Sequence, residues 1–156
     1  NAIQSHSIEE HVIIEPNEEV YQRLLEFAET APHKVIPIKG RWQDVVPQLE
    51  DESFDGIFFD GSPFDDRELH YRQFQFGRHA HRLLKPQGVY TYCNLCSMGV
   101  LKSHYDDWRE LFDETQRPGL EDCGFREMSH EVMAVQPPEG DEKYPHQEAM
   151  IPIVTR

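Results

Sequence analysis

Three short apolar runs, each ending at a polar residue, constrain the fold of this chain more than any other feature of its sequence. The runs and their polar residues are 12–14 with Glu15, 54–59 with Asp60, and 89–93 with Asn94. Stretches with helical periodicity separate the runs, and this alternation predicts βαβ units in a mostly parallel α/β sheet. Ligands of such sheets bind beyond the carboxyl ends of the strands. The three polar residues therefore predict one ligand-binding crevice.

Periodicity and turn residues predict the other elements. Strands are predicted at 11–15, 35–38, 54–60 and 89–93, and helices after Asn17, at 45–49, at 66–84 and at 105–122. The first helix has one apolar face, formed by Val20, Leu24, Phe27 and Ala28. Pro37 marks the second strand as an edge strand or a bulged one, and the apolar residues 57–59 predict a third strand buried on both faces. The runs 125–135 and 149–154 predict an antiparallel hairpin at one edge of the sheet.

Length and charge limit the classes of protein to consider. A chain of 156 residues is long enough to bury a core, and we predict a single domain over 1–156. The net charge of −14, without a basic run, argues against nucleic acid or an anionic membrane as a partner. No apolar run approaches the roughly 18 residues of a membrane span. Three cysteines without a framework spacing favour the cytoplasm, with the nucleus as the alternative. Oligomeric state stays open.

Several stretches, taken in order, resemble class I S-adenosylmethionine-dependent methyltransferases, and within them the guanidinoacetate N-methyltransferase family. These are 14–15 (IE), 40–44 (GRWQD), 54–60 (FDGIFFD), 83–89 (LLKPQGV), 91–95 (TYCNL), 114–116 (ETQ), 131–134 (EVMA) and 151–155 (IPIVT). The resemblance extends over nearly the whole chain, from about Glu10 to the C-terminus. The resemblance implies a Rossmann-like class I methyltransferase sheet with a C-terminal antiparallel hairpin. It also implies N-methylation of a small guanidino substrate, guanidinoacetate, to give creatine.

One group of residues is predicted to bind the cofactor. An apolar strand that ends in an acid just before a helix is typical of a ribose site, and Glu15 is that acid. The resemblance implies that the cofactor is S-adenosylmethionine and places Trp42 and Gln43 at its adenine pocket. The predicted cofactor-binding residues are Glu15, Pro16, Asn17, Trp42, Gln43 and Asp60. The alternatives are a surface acid at Glu15, a helix cap at Asn17 and a core residue at Trp42.

A second group is predicted to bind and activate the acceptor. A carboxylate can hold two N–H groups of a guanidinium and accept the proton released on methylation. The resemblance implies that Asp60 is this catalytic, substrate-binding acid, whereas the alternative is a loop or helix cap. It also implies that backbone amides around Cys96 and Ser97 receive the substrate carboxylate. Cys96, Met98 and Ser62 depart from the family pattern, which leaves the identity of the acceptor open.

The family's glycine-rich loop and the strand before it have no counterpart in this sequence. We therefore expect a partial methyltransferase domain, a fragment with impaired activity. Two alternatives to guanidinoacetate methylation stay open. One is an arginine δ-N-methyltransferase, and the other is a degenerate domain that acts as a non-catalytic interaction module.

Two further patterns suggest metal or redox chemistry only superficially. Cys93 and Cys96 form a C-x-x-C, but a zinc site needs two more clustered ligands. His70, His79 and His81 fall on one predicted helix, yet residues two apart do not share a helix face. We therefore predict no metal site.

Overall fold

The computed structural model describes residues 3–61, 72–94, 100–135 and 147–156. Its contacts divide the chain into two compact units, Asn1–Leu49 and Glu50–Arg156. The first unit contains strands β1 (Glu10–Glu15) and β2 (Lys34–Lys39) and helices α1 (Glu18–Thr30) and α2 (Trp42–Val45). The second contains strands β3 (Phe54–Phe59), β4 (Leu84–Tyr92), β5 (Glu127–Ala134) and β6 (Glu148–Thr155), with helices α3 (Arg72–Leu83), α4 (Trp108–Thr115) and α5 (Arg117–Asp122). Short 3₁₀ turns span Ile3–Ser5, Val46–Gln48 and Val100–His104.

The first unit is a parallel strand pair crossed by α1. β1 and β2 pair in register, with Glu10 opposite Lys34 and Glu15 opposite Lys39. Leu24 is the buried residue of α1, as its predicted apolar face requires, but Val20 on that face is 45% exposed. Val20 lies in the first turn, where its backbone N–H is bound by the helix cap. At Val20, therefore, the backbone serves the helix cap, and the side chain adds little to the core.

The second unit is built on a mixed sheet. Among the described residues the strand order is β3-β4-β6-β5. β3 and β4 are parallel, whereas β6 runs antiparallel to both β4 and β5. The predicted C-terminal hairpin is therefore confirmed. Its two strands pair from Glu127 opposite Thr155 to Ala134 opposite Glu148.

The boundary between α3 and β4 differs from its prediction. The helix ends at Leu83, and β4 already begins at Leu84 instead of Val89. Phe54 pairs with Leu84 but Gly56 pairs with Val89, so the intervening residues form a bulge. A turn lies inside this bulge, where Gln87 has a φ of 67°. The C-terminal residue of the chain holds it, because Gln87 N–H donates to Arg156 O and Arg156 N–H to Gly88 O.

Two other predicted elements also differ in detail. The helix predicted at 105–122 is two helices, α4 and α5, divided at Gln116 with φ −112° and ψ −49°. The helical turn predicted at 45–49 begins earlier, because Trp42 and Gln43 already lie in α2 and a 3₁₀ turn follows. The described part of the predicted helix 66–84 is α3.

The core of the second unit lies between α3, the two C-terminal helices and one face of the sheet. Tyr90, Tyr92, Phe112 and Phe125 are among its largest fully buried side chains. The prediction that β3 is buried on both faces is wrong for the described residues, since Phe58 is 52% exposed while Phe59 is 8% exposed. In the described part of the chain β3 is an outer strand of its sheet, and Phe76 of α3 covers its Phe59 face, with 4.6 Å between the two ring centroids.

The α/β class is confirmed, with parallel strand pairs and an antiparallel C-terminal hairpin. Within the described part of the chain, no helix is long and apolar enough to cross a membrane.

Candidate functional site

The end of β1 places Glu15 beside the start of α1. The Glu15 carboxylate accepts a hydrogen bond of 2.6 Å from the backbone N–H of Asn17. The Asn17 side chain in turn accepts 3.1 Å from the N–H of Val20, so Asn17 is the N-cap of α1. One carboxylate oxygen of Glu15 is thereby fixed by the backbone of the helix start. The side chain is only partly buried, which leaves the acid open to a ligand.

The loop after β2 reaches the same end of the strand pair. Gly40 N–H donates to the Glu15 carbonyl at 3.2 Å, so this loop is tied to the last residue of β1. Trp42 and Gln43 follow directly in α2, with Trp42 half-buried and Gln43 exposed. Glu15, Asn17, Trp42 and Gln43 are therefore gathered at one end of the first unit. Pro16 lies between two of them and is exposed.

The cation opposite Glu15 is bound by a different acid. Lys39 pairs with Glu15 in the sheet register, but its ammonium lies 2.8 Å from Glu18 and 5.4 Å from the ring centre of Tyr21. The hydrogen bond from Lys39 is the largest cause of the lowered pKa of Glu18. Because Glu18 binds this cation, the Glu15 carboxylate is not neutralised by an ion pair among the described residues.

In the second unit, Asp60 follows β3 at the carboxyl end of the parallel strands. Phe59 pairs with Tyr92, and Cys93 N–H donates to Phe59 O at 3.1 Å. These bonds place Asp60 beside Cys93 and Asn94. Burial, followed by the negative charge of Asp60, raises the pKa of the Cys93 thiol. Asp60 itself is exposed and Asn94 is buried, so the acid is accessible from outside.

The structure thus groups the predicted residues in two sets, one for each unit. Cys96, Ser97, Met98 and Ser62, which concern the acceptor, lie outside the described residues. Tyr92 and Gln116, which are not among the predicted site residues, share a buried hydrogen bond. The backbone of Tyr92 pairs with Phe59, the residue before Asp60. Gln116 stands out in the sequence as a polar residue between Phe112 and Leu120, but no local pattern identifies Tyr92 as its partner.

A cavity of about 220 Å³ lies elsewhere in the second unit, between α4 and β5. Its walls include Arg109, Asp113, Arg117 and His130. Asp113 is 2.8 Å from Arg117 and 3.6 Å from Arg109, and the hydrogen bond from Arg117 is the main cause of its lowered pKa. The Asp113 carboxylate of this cavity is paired with Arg109 and Arg117, and none of the predicted site residues that the structure describes lines it.

Comparison with known proteins places the chain in a family. The model of the family described as "Guanidinoacetate N-methyltransferase" matches residues 1–156. Protein arginine N-methyltransferase 2 of Kluyveromyces lactis is 30% identical over 95 residues, which are 60% of this chain and 23% of that protein. The Saccharomyces cerevisiae protein of the same name is 28% identical over 113 residues, or 71% of this chain and 26% of that one. The chain thus spans about a quarter of the length of these curated relatives.

Solved structures show the same fold at low identity. An O-methyltransferase from Bacillus cereus, crystallised with SAH, superposes with a TM-score of 0.56 at 19% identity, covering 93% of this chain and 62% of that one. Spermidine synthase from Thermotoga maritima gives a TM-score of 0.61 at 13% identity, covering 98% of this chain and 47% of that one. At identities this low, the two structures show a shared fold and nothing about function.

Proposed function

The chain belongs to the guanidinoacetate N-methyltransferase family, and we propose that it forms part of an enzyme that methylates a guanidino nitrogen with S-adenosylmethionine. The acceptor that we favour is guanidinoacetate, with creatine as the product. The observation that carries this proposal is the position of Asp60, an accessible acid at the carboxyl end of parallel strands. The match of the family model to the whole chain supports it.

The first unit has groups that suit the cofactor. A carboxylate fixed through one oxygen and open on its other side can accept hydrogen bonds from a ribose diol, and Glu15 has this geometry. Trp42 would pack against the adenine ring, and Gln43 would hydrogen-bond its edge. Bound S-adenosylmethionine supplies a methyl group already activated on a sulfonium, so the protein's task is mainly positioning.

Asp60 has two tasks in the proposed reaction. Its carboxylate receives two N–H groups of the guanidinium, which fixes the orientation of the nitrogen that is methylated. As the N–C bond forms and the methyl–sulfur bond breaks, that nitrogen loses a proton, and Asp60 accepts it before passing it to water. The exposure of Asp60 gives the proton a path to solvent.

The second candidate acceptor is an arginine side chain. It is favoured by the curated relatives, which are named as arginine N-methyltransferases. Both acceptors present the same guanidino group to Asp60. They differ in that guanidinoacetate also offers a carboxylate close by, whereas an arginine of a protein needs an open groove.

The test is transfer of labelled methyl from S-adenosylmethionine to guanidinoacetate, free arginine and an arginine-containing protein. Because the chain spans about a quarter of its curated relatives, the full-length gene product is assayed. We expect transfer to guanidinoacetate, lowered about 100-fold or more in Asp60→Asn. Asp55→Asn is the matched control, since Asp55 is an exposed acid near the other end of β3. Transfer to arginine alone would select the second candidate, and no transfer to any guanidino group would refute the proposal.

A further inference from the structure

Tyr92, the last residue of β4, has its hydroxyl anchored in the core. This hydroxyl donates to Gln116 Oε1 at 2.7 Å. Gln73 Nε2 of α3 reaches the same oxygen at 3.3 Å. Tyr92 and Gln116 are 1% and 0% exposed, so the bond is shielded from water. A buried hydrogen bond of this kind fixes the relative position of its two side chains. If it broke, the hydroxyl and the amide oxygen would have no water to replace the lost partner.

Gln116 is itself held firmly at the break between α4 and α5. Its backbone N–H donates to Phe112 O at 2.9 Å, and its carbonyl accepts from Leu120 N–H at 3.1 Å. Its side-chain Nε2 donates to Thr115 Oγ1 at 3.0 Å. The side-chain amide of Gln116 is thus hydrogen-bonded through both its oxygen and its nitrogen. The backbone of Gln116 is bound to a residue of α4 and to a residue of α5.

The anchor lies next to the proposed acceptor site. Tyr92 pairs with Phe59, and the following residue, Cys93, donates its N–H to Phe59 O. Asp60 is the next residue after Phe59. A shift of the Tyr92 ring would therefore be passed through this strand pairing to Phe59, the residue that precedes Asp60.

We propose that Gln116, through its hydrogen bond with Tyr92, is a positioning residue that sets the place of Asp60 against the guanidino acceptor. This inference rests on the proposed function and deepens it, because it assigns to the break between α4 and α5 a role in the acceptor site. The acceptor step should be sensitive to the Tyr92 hydroxyl. Cofactor binding should be much less sensitive, because all of the predicted cofactor-binding residues except Asp60 belong to the first unit.

The experiment compares Tyr92→Phe with Tyr90→Phe in the full-length protein. Tyr90 is the matched control, because it is fully buried on the same strand and its hydroxyl also makes one buried hydrogen bond, of 2.9 Å, to Gln73 O. Both variants should lose similar thermal stability. We expect Tyr92→Phe alone to lower kcat/KM for the guanidino acceptor about tenfold, with a much smaller change in KM for S-adenosylmethionine. Equal losses in the two variants, or none in Tyr92→Phe, would overturn the inference.

A second readout does not depend on activity. Alkylation of Cys93, located by peptide mass spectrometry, reports the packing of the β4 end, because burial and Asp60 together raise the pKa of that thiol. Tyr92→Phe should accelerate the alkylation several-fold and Tyr90→Phe should not. If the parent protein methylates no guanidino acceptor, the proposed function fails. Unequal alkylation would then still support positioning of the strand end, and equal alkylation would refute it.

Discussion

Asp60 and Cys93 show how one residue's environment can be tested without any assay of function. The two follow adjacent parallel strands, and the thiol is part-buried while the acid is exposed. Burial is the larger cause of the raised pKa of Cys93, and the negative charge of Asp60 is the second. Both favour the neutral thiol over the thiolate.

Asp60→Asn should therefore lower the pKa of Cys93 part of the way towards its usual range. At a fixed pH just below that pKa, the thiolate fraction and the alkylation rate should rise. The measurement is the pH profile of Cys93 alkylation. Asp55→Asn should leave the profile where it is, since Asp55 lies near the amino end of β3 and pairs with Lys85 at 2.8 Å. An unchanged profile in Asp60→Asn would show that the two groups are not neighbours in solution.

Glu15 gives the corresponding prediction for the cofactor. Glu15→Gln keeps an oxygen to accept from Asn17 N–H but removes the negative charge that we assign to the ribose hydroxyls. A hydrogen bond to a charged group contributes about 1.5–3 kcal/mol, so affinity for S-adenosylhomocysteine should fall roughly 10- to 100-fold. Isothermal titration calorimetry on the full-length protein measures this affinity. Glu19→Gln, which alters an exposed acid on α1 paired with Arg23, should bind as the parent does.

At the scale of elements, α3 depends on a close approach to the residue that ends α5. A Cβ placed on Gly77 would lie 2.7 Å from the Cys123 sulfur and 3.3 Å from its Cβ. Cys123 is buried, and its thiol donates a hydrogen bond of 3.2 Å to the carbonyl oxygen of Phe74, which lies in α3 like Gly77. Glycine is therefore required at this position by packing, although it weakens a helix interior.

Gly77→Ala should destabilise the protein by about 1–3 kcal/mol, because the new methyl group overpacks the sulfur. Cys123→Ala removes the sulfur, and in that background the same change should be neutral or slightly stabilising, since alanine favours a helix by about 1 kcal/mol over glycine. Urea unfolding of the two single variants and the double variant measures the coupling. Additive effects would mean that the helix moves away from Cys123 at little cost.

For the whole molecule, net charge is the dominant long-range term. The chain carries a net charge of −14, and among the described residues several ion pairs are exposed, such as Arg23 with Glu19 and Lys85 with Asp55. Exposed pairs contribute about 0–1 kcal/mol each, whereas uniform excess charge opposes compactness throughout the molecule.

Raising ionic strength from 0.01 to 0.15 M shortens the Debye length from about 30 to about 8 Å and should raise the midpoint of thermal unfolding. Calorimetry in NaCl and in KCl should give the same shift, because screening depends on ionic strength rather than on the ion. A fall in the midpoint would mean that the attractive pairs outweigh the general repulsion.

The features of this chain that could be predicted from its amino acids are local. The alternation of strand and helix patterns, the cap at Asn17 and the polar residue at each strand end depend on periods and sterics within a few residues. The same holds for the hairpin, whose two extended runs are confirmed as β5 and β6. These features could be predicted because neighbouring side chains and backbone angles decide them.

The other features depend on contacts between residues that are far apart in the chain. The bulge in β4 is held by Arg156, about 70 residues away, and the Tyr92 hydroxyl is bound by Gln116, 24 residues on. Phe58 is exposed although its neighbours predicted burial, because coverage of a strand face depends on which helix packs there. Hydrogen-bond partners and burial are set by contacts between distant segments, and no local pattern contains them.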